Sequence, residues 1–255
     1  MRIPVLAAAV LALLPAAAAA DTVTLRADNW CPYNCEPGSE RPGYMVEVAK
    51  AVFEPLGHTV DYKTMPWTQA LEEAREGRHA GVIGAIPDDA PGFVFGAEPL
   101  GQSTNVVAVR KGYGFAYKGV DSLKGHRLAA VQDYAYAPDL DAYIAEHAGK
   151  GGAVTLSSGD DVTADNLRKL LASQADLVLD EKNVLDYTAV QAGLEDVVQT
   201  VPLGSSAPLF IAFSPKHPKA KELAAALDAG VKEMRKSGKL AEILKRYGLK
   251  DWAGS

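Results

Sequence analysis

The stretch Asp28-Asn29-Trp30-Cys31-Pro32-Tyr33-Asn34-Cys35 is polar and aromatic and separates two apolar patterns of different period. Before it, residues 23–27 alternate between apolar and polar, which indicates a β-strand. After it, apolar residues recur at every fourth position over residues 44–56, which predicts a helix. A strand that leads through a polar loop into a helix is how α/β proteins build the edge of a binding cleft. We therefore expect a ligand at this loop.

The same alternation continues along the chain. Strand patterns at 58–65 and 81–86 enclose a helical pattern at 67–77, so the first hundred residues indicate β-α-β-α-β. An extended run at 105–110 leaves this unit, and a second series of strands and helices follows as far as residue 191. The extended run 208–213 then precedes two amphipathic helices.

This order predicts an α/β fold with two α/β lobes joined by a two-strand hinge, and proteins of this shape close around a ligand. We expect the first lobe at residues 21–105 and the second at 106–207. Residues 208–255 are expected to return through the hinge and add the C-terminal helices to the first lobe.

Residues 1–20 are expected to be a signal peptide. Arg2 gives a positive start, residues 5–14 are mostly apolar, and Ala18-Ala19-Ala20 supplies small residues for cleavage before Asp21. A membrane anchor is the alternative, but the apolar run is shorter than the roughly 20 residues that a membrane span requires. The prediction is therefore an exported, periplasmic protein.

The charge balance restricts the partners. Removing Arg2 from the count of 26 basic and 32 acidic residues leaves a formal charge of about −7. A negative balance argues against nucleic acids and against anionic membrane surfaces. We expect a small solute or another protein as partner, and a monomeric chain.

The two cysteines, Cys31 and Cys35, allow three interpretations. In an exported chain an isolated pair more often forms a disulfide than a pair of free thiols. Metal binding is the least favoured interpretation, because the five histidines show no ligand spacing with the cysteines. We expect a disulfide, no metal and no cofactor.

Four stretches resemble extracytoplasmic solute-binding proteins of family 3, which include periplasmic amino-acid-binding proteins that serve ABC transporters. They are Gly43–Val48 at the first helix, Pro66–Gly77 at the second, Ser173–Asp180 at a late strand, and Lys216–Gly248 at the C-terminal helices. The resemblance implies a two-lobe fold, a solute held between the lobes, and a membrane transporter permease or a sensor as partner. It also implies that Asp180 is brought to the ligand.

Two departures from the family pattern change the expected ligand. Amino-acid binders of this family carry an arginine after the third strand that grips the ligand carboxylate. Here no arginine lies between Arg78 and Arg110, and Asp88 and Asp89 stand in the loop. Asp133 also follows a strand where the family often has a small hydroxyl residue. These changes favour a cationic or neutral polar ligand.

The candidate ligand-binding residues share polar or aromatic character and a position at predicted strand ends or helix starts. They are Asp28, Trp30, Tyr33, Trp67, Asp89, Gln102, Ser103, Asp133, Tyr134 and Asp180. Carboxylates attract cations, and aromatic faces bind them by cation–π contact. The alternative for the aspartates is helix capping or solvent exposure, and for the aromatic residues it is packing in the core.

We expect a periplasmic binding protein and not an enzyme. The alternatives are an enzyme on the same scaffold, such as a cyclohexadienyl dehydratase, and a partner or sensor protein that has lost its ligand. The dehydratase hypothesis requires a cationic group that binds a carboxylated substrate, and the arginine-free loop argues against it. The sequence contains no nucleophile elbow, zinc motif or phosphate-binding loop.

Overall fold

The structure, a computed structural model, describes residues 21–149 and 151–254. The expected signal peptide, residues 1–20, lies outside the described residues. The strands are β1 (Thr22–Ala27), β2 (Thr59–Thr64), β3 (Gly81–Ala85), β4 (Gly101–Arg110), β5 (Leu128–Val131), β6 (Val154–Ser157), β7 (Leu177–Glu181) and β8 (Val198–Phe213). The helices are α1 (Tyr44–Phe53), α2 (Trp67–Arg75), α3 (Pro138–His147), α4 (Val162–Leu171), α5 (Lys182–Gln191), α6 (Ala220–Ser237) and α7 (Lys239–Arg246).

The strands form one mixed sheet in the order β2-β1-β3-β8-β4-β7-β5-β6. Strand β1 pairs in parallel with β2 and β3, and β5 pairs in parallel with β6 and β7. The two longest strands, β4 and β8, run antiparallel to each other in the centre and connect these parallel sets. We call β1–β3 with α1, α2, α6 and α7 the first half, and β5–β7 with α3–α5 the second half.

Each half has apolar cores on both faces of its part of the sheet. In β3, Val82 packs into one cluster and Ile83 into another, and in β7, Val178 and Leu179 are divided in the same way. Successive side chains of a strand point to opposite faces, so a strand covered on both sides must be apolar at every position. This explains the continuous apolar runs at these strands.

The C-terminal helices complete the first half. Leu227 of α6 and Leu240 of α7 belong to the same buried cluster as Met45 and Phe53 of α1. Gly238 lies between the two helices with φ +85°, a left-handed conformation that glycine adopts without a steric penalty. The predicted pair of amphipathic helices is therefore present and packs against α1.

Strand β8 is longer than the sequence pattern predicted. It begins at Val198, ten residues before the expected start at Pro208, and contains Pro202. Residues 198–209 of β8 pair with β4, while β3 pairs only with residues 210–213. Proline is tolerated where a strand has a neighbour on one side only. Because Pro202 interrupts the alternation of side chains, the sequence pattern did not predict the first part of β8.

None of the helices within residues 21–149 and 151–254 combines the length and the apolar composition needed to span a bilayer.

Candidate functional site

A cavity of about 660 Å³ lies between the two halves. It is bordered by the residues that follow β1, β3 and β5, by the end of β7, and by the middle of β4 and β8. The lining residues are Asp28, Trp30, Trp67, Ile83, Gly84, Ile86, Asp88, Asp89, Ser103, Asn105, Tyr134–Pro138, Asp141, Asp180, Glu181, Gly204–Ala207 and Leu209. A crevice at the carboxyl ends of strands is the usual place for a ligand in α/β proteins.

Two irregularities in the sheet border the cavity. The register between β3 and β8 shifts around Gly84, which has φ +88°, and the register between β4 and β8 shifts around Asn105. The side chain of Asn105 donates to Ser205 Oγ at 3.0 Å and to the carbonyl oxygen of Tyr136. Bulges commonly occur next to functional sites, where they redirect a side chain. Here both shifts lie at residues that line the cavity, Gly84 and Asn105.

Several side-chain contacts join the halves beside the cavity. The hydroxyl of Tyr134 in the second half donates to Asp28 Oδ2 in the first half. The amide of Asn183 donates to Tyr33 Oη at 2.8 Å, and the rings of Trp30 and Tyr134 meet edge to face at 6.4 Å. The two halves are therefore in contact in this structure.

Asp180 and Glu181 end strand β7 at the cavity, and both are almost fully buried. Thr163 Oγ1 donates to Asp180 Oδ2 at 2.6 Å, and the backbone N–H of Glu181 donates to Asp180 Oδ1 at 2.8 Å. The Glu181 carboxylate caps α5 by accepting from Val184 N at 3.0 Å. It also accepts from Thr104 N of β4 at 3.3 Å. Glu181 therefore links the end of β7 to both α5 and β4.

Four carboxyl groups of the cavity resist ionisation. Burial raises the pKa of Asp28, Asp89 and Asp180 to about 6, partly opposed by hydrogen bonds such as Tyr134 to Asp28. Burial raises the pKa of Glu181 to about 8. A nearby positive charge would reverse these shifts, but the lining contains six acidic residues and no lysine, arginine or histidine. The cavity is suited to a ligand that brings positive charge.

Aromatic rings form much of the remaining wall, from Trp30, Trp67, Tyr134 and Tyr136. Trp30 stacks on Tyr33 with a centroid distance of 4.5 Å. Its indole N–H is buried without a hydrogen-bond partner and lies close enough to Asp180 to lower the pKa of that carboxyl group. This ring is therefore held between the core and the cavity.

Seven of the ten candidate residues line the cavity: Asp28, Trp30, Trp67, Asp89, Ser103, Tyr134 and Asp180. Tyr33 lies behind Trp30 and is 1% exposed. Gln102 is exposed and alternates along β4 with Ser103, so it points away from the lining. Asp133 is exposed in a turn with φ +63°. We leave Tyr33, Gln102 and Asp133 out of the proposed site.

The main lining residues that the candidate set omitted are Asn105, Tyr136, Asp141, Glu181, Ser205 and Ser206. Glu181 directly follows Asp180 at a strand end, which is a usable signal. Asp141 reads as an ordinary acidic residue in the first turn of α3. Asn105 and the two serines lie inside long strands, so no strand end marks them.

The loop that carries Asp28 and Trp30 contains a disulfide directly after Trp30. Cys31 and Cys35 are bonded, with a Cα–Cα distance of 4.9 Å, which confirms the expected pairing. Within the loop, Trp30 and Asn34 form a short antiparallel bridge. The Asn34 side chain also donates to the backbone oxygen of Asp28 at 2.8 Å.

Arg110, the next arginine along the chain after Arg78, does not line the cavity, and its hydrogen-bond partners lie elsewhere. Its guanidinium donates to the backbone oxygen of Ala175 at 2.9 Å and to that of Leu170 at 2.6 Å, and it pairs with Asp176. No basic side chain replaces the missing carboxylate clamp in the lining.

The chain belongs to the bacterial extracellular solute-binding proteins, family 3, whose model matches residues 23–250. This result confirms the resemblance to family 3. No curated protein matches the chain in sequence.

Solved structures share the fold. One, from a study of glutathione import through GshT and the cystine ABC importer TcyBC of Streptococcus mutans, has a TM-score of 0.74 and 23% identity, with 91% of this chain and 98% of that chain covered. An ABC uptake transporter substrate-binding protein from Streptococcus pneumoniae with bound histidine has a TM-score of 0.73 and 16% identity, with 89% and 92% covered. A histidine kinase sensor domain with similarity to periplasmic binding proteins has a TM-score of 0.71 and 21% identity, with 89% and 95% covered.

Proposed function

We propose that this protein is a periplasmic solute-binding protein that captures a small polar solute between its two halves. The halves act as lobes, and β4 and β8 act as the hinge. The bound solute is delivered to a membrane transporter or presented to a sensor. The expected monomeric state and the periplasmic location are part of the same proposal.

The observation that carries this proposal is the composition of the cavity wall. One side comes from loops of the first half, the other from loops of the second half, and the floor from β4 and β8. A solute in such a cavity contacts both halves at once, so binding favours their closed arrangement. The family match supports the same conclusion.

Retained ligand provides the first test. Native mass spectrometry of the purified protein, before and after mild unfolding, is expected to show a small molecule that is lost on unfolding. A thermal-shift screen of amino acids, amines, sugars and small acids then identifies the ligand class. A ligand at 100 times its Kd adds about 2.7 kcal/mol to the stability of the folded state, which is readily measured.

Closure provides the second test. Small-angle X-ray scattering is expected to show a smaller radius of gyration with ligand than without it. If no small molecule raises the melting temperature while a membrane or redox protein co-purifies stoichiometrically, the solute-binding proposal is wrong and a ligand-free partner protein takes its place. The dehydratase alternative is disfavoured because the lining offers no cationic group to a carboxylated substrate.

A further inference from the structure

The acidic residues of the cavity include two pairs, each with one carboxyl group from either half. Asp28 follows β1, Asp180 lies at the end of β7, and both line the cavity. Burial is the main cause that raises the pKa of Asp180, and the charge of Asp28 raises it further. Asp89 follows β3, Asp141 lies in α3, and both line the cavity. Burial is the main cause that raises the pKa of Asp89, and the charge of Asp141 raises it further. We call Asp28 with Asp180 the first acid pair, and Asp89 with Asp141 the second acid pair.

The two pairs impose a cost on closure. Bringing the halves together places like charges opposite each other at two places in the cavity, which is unfavourable when the carboxyl groups are ionised. One positive group relieves the repulsion at one pair only. A molecule with two positive groups relieves it at both pairs and so stabilises the closed arrangement most.

The arrangement does not suit a metal ion. A metal site needs at least three ligating side chains around one point, and no such group of His, Cys, Asp or Glu exists among residues 21–149 and 151–254. The acidic groups are distributed around the wall instead. Separated acidic groups match an organic molecule whose positive charges are also separated.

The rest of the wall suits the hydrocarbon part of such a molecule. Trp30 and Tyr134 lie beside the first acid pair, and Trp67 and Tyr136 add further aromatic surface. Aromatic faces attract ammonium groups and cover methylene chains. The cavity of about 660 Å³ is within the range that holds small organic ligands.

We propose that the solute is an organic dication without a carboxylate group, with one ammonium group at the first acid pair and the other at the second. This inference rests on the proposed solute-binding function and specifies its ligand class. A carboxylate on the ligand would be placed among six acidic residues with no basic partner in the lining. Ordinary amino acids are therefore excluded from the expected ligands.

The test uses the full mature chain and isothermal titration calorimetry at pH 8. The probes are α,ω-diaminoalkanes of three to eight carbons, the monoamines and diols of the same lengths, and arginine, lysine, histidine and glutamate. The best diamine is expected to bind at least tenfold more tightly than the monoamine of equal length. The diols and glutamate are expected to show no binding.

Single-charge variants assign each end of the probe. Asp89→Asn is expected to weaken the best diamine at least tenfold and to leave the monoamine within about twofold, because the monoamine keeps the first acid pair. Asp28→Asn is expected to weaken both probes at least tenfold. Asp196→Asn is the matched control, since Asp196 is exposed outside the lining, and it should change neither affinity. Circular dichroism and melting temperatures verify that each variant folds.

The outcomes separate this inference from the proposed function. If an amino acid, a sugar or another neutral solute binds and the diamines do not, the dication inference is overturned while the solute-binding function stands. If diamine affinity is equal in the wild type, Asp28→Asn and Asp89→Asn, the attraction is not at these pairs and the inference is also overturned. If no solute of any class binds, both the inference and the proposed function fail.

Discussion

The two ends of β7 present the same residue type in opposite electrostatic environments. Asp176, directly before the strand, accepts hydrogen bonds from the Arg127 guanidinium at 2.8 and 3.0 Å and also contacts Arg110. These hydrogen bonds hold the pKa of Asp176 well below its usual range. At the other end, burial without a basic partner raises the pKa of Asp180 to about 6.

This difference shows where the protein places its positive charge. Arginines are paired with acidic residues in the body of the protein, as in Arg26 with Asp61 and Arg235 with Asp251. At the cavity the acidic residues have no such partners in the lining. The Asp176 end of β7 is therefore electrostatically complete within the chain, and we propose that a ligand completes the Asp180 end.

The largest expected effect is at the Asp176 end of β7. Asp176→Asn is expected to lower the free energy of unfolding by about 2 kcal/mol, since it removes charge-assisted hydrogen bonds and leaves two arginines without their anion. Half of the Arg127 side chain is exposed, which limits the loss through solvent screening. Urea denaturation followed by circular dichroism measures it. A loss below about 0.5 kcal/mol would show that the two ends of β7 do not differ in this way.

The next largest effect is expected at the Asp180 end of β7, which lines the cavity. Asp180→Ala is expected to weaken ligand binding at least tenfold, about 1.4 kcal/mol, because a buried carboxylate that lines the cavity is lost. Isothermal titration calorimetry with the ligand identified by mass spectrometry measures it. Asp176→Asn should leave this affinity unchanged. Equal effects of the two substitutions on affinity would remove Asp180 from the site.

Stability against pH gives a third comparison. Glu181 has a pKa raised from 4.5 to about 8, so the folded protein binds more protons than the unfolded chain between these values. The free energy of unfolding should therefore rise as the pH falls, by about 2 kcal/mol from pH 8 to pH 6. Thermal denaturation of the ligand-free protein at both pH values measures it. Glu181→Gln, which resembles the protonated form, should reduce this difference, and an unchanged pH dependence would contradict the assignment.

The affinity for a cationic ligand should fall as the pH falls, whereas the free energy of unfolding should rise. Because Asp28, Asp89 and Asp180 have pKa values of about 6, they take up protons as the pH falls below that value and lose their charge. The ligand-induced shift in melting temperature should therefore shrink from pH 8 to pH 5. A neutral ligand would show no such loss.

The smallest expected effect concerns an aromatic wall residue. Trp67→Leu should weaken a cationic ligand by about 0.5–1 kcal/mol through loss of cation–π contact. Phe95 is the matched control, because Phe95 and Trp67 pack against the same core cluster and only Trp67 lines the cavity. Calorimetric titration of Phe95→Leu should match the wild type. Equal weakening by both substitutions would indicate a packing effect.

The sequence predicted most of the fold because its signals are local. Val82-Ile83 in β3 and Leu177-Val178-Leu179 in β7 are continuous apolar runs, and the C-terminal helices show a clear apolar stripe that ends at glycine. The first ten residues of β8 were not predicted, because Pro202 interrupts a strand that has a neighbour on one side only. Whether a proline is tolerated in β8 depends on which strands pair with it, and those strands are distant in sequence.

The site was predictable where a strand end marks it. Asp28 and Asp180 directly follow or end buried strands, so their position at the cavity edge follows from the order of strands. Trp30 and Tyr33 could not be distinguished in the sequence, although only Trp30 lines the cavity. The path of the loop around Asn34 decides which ring is exposed to the cavity, and that path depends on tertiary contacts.

The route of the chain through β4 and β8 has a consequence for the order of folding. The second half is contiguous, so its core can form from one uninterrupted segment as the chain emerges. The first half is interrupted, since α1 is covered by α6 and α7 from the far end of the sequence. Its core therefore contains contacts of long sequence separation, which form late. Tyr33 of the loop at residues 28–35 belongs to the same buried cluster as α6 and α7, so we expect this edge of the cavity to be complete only after those helices pack.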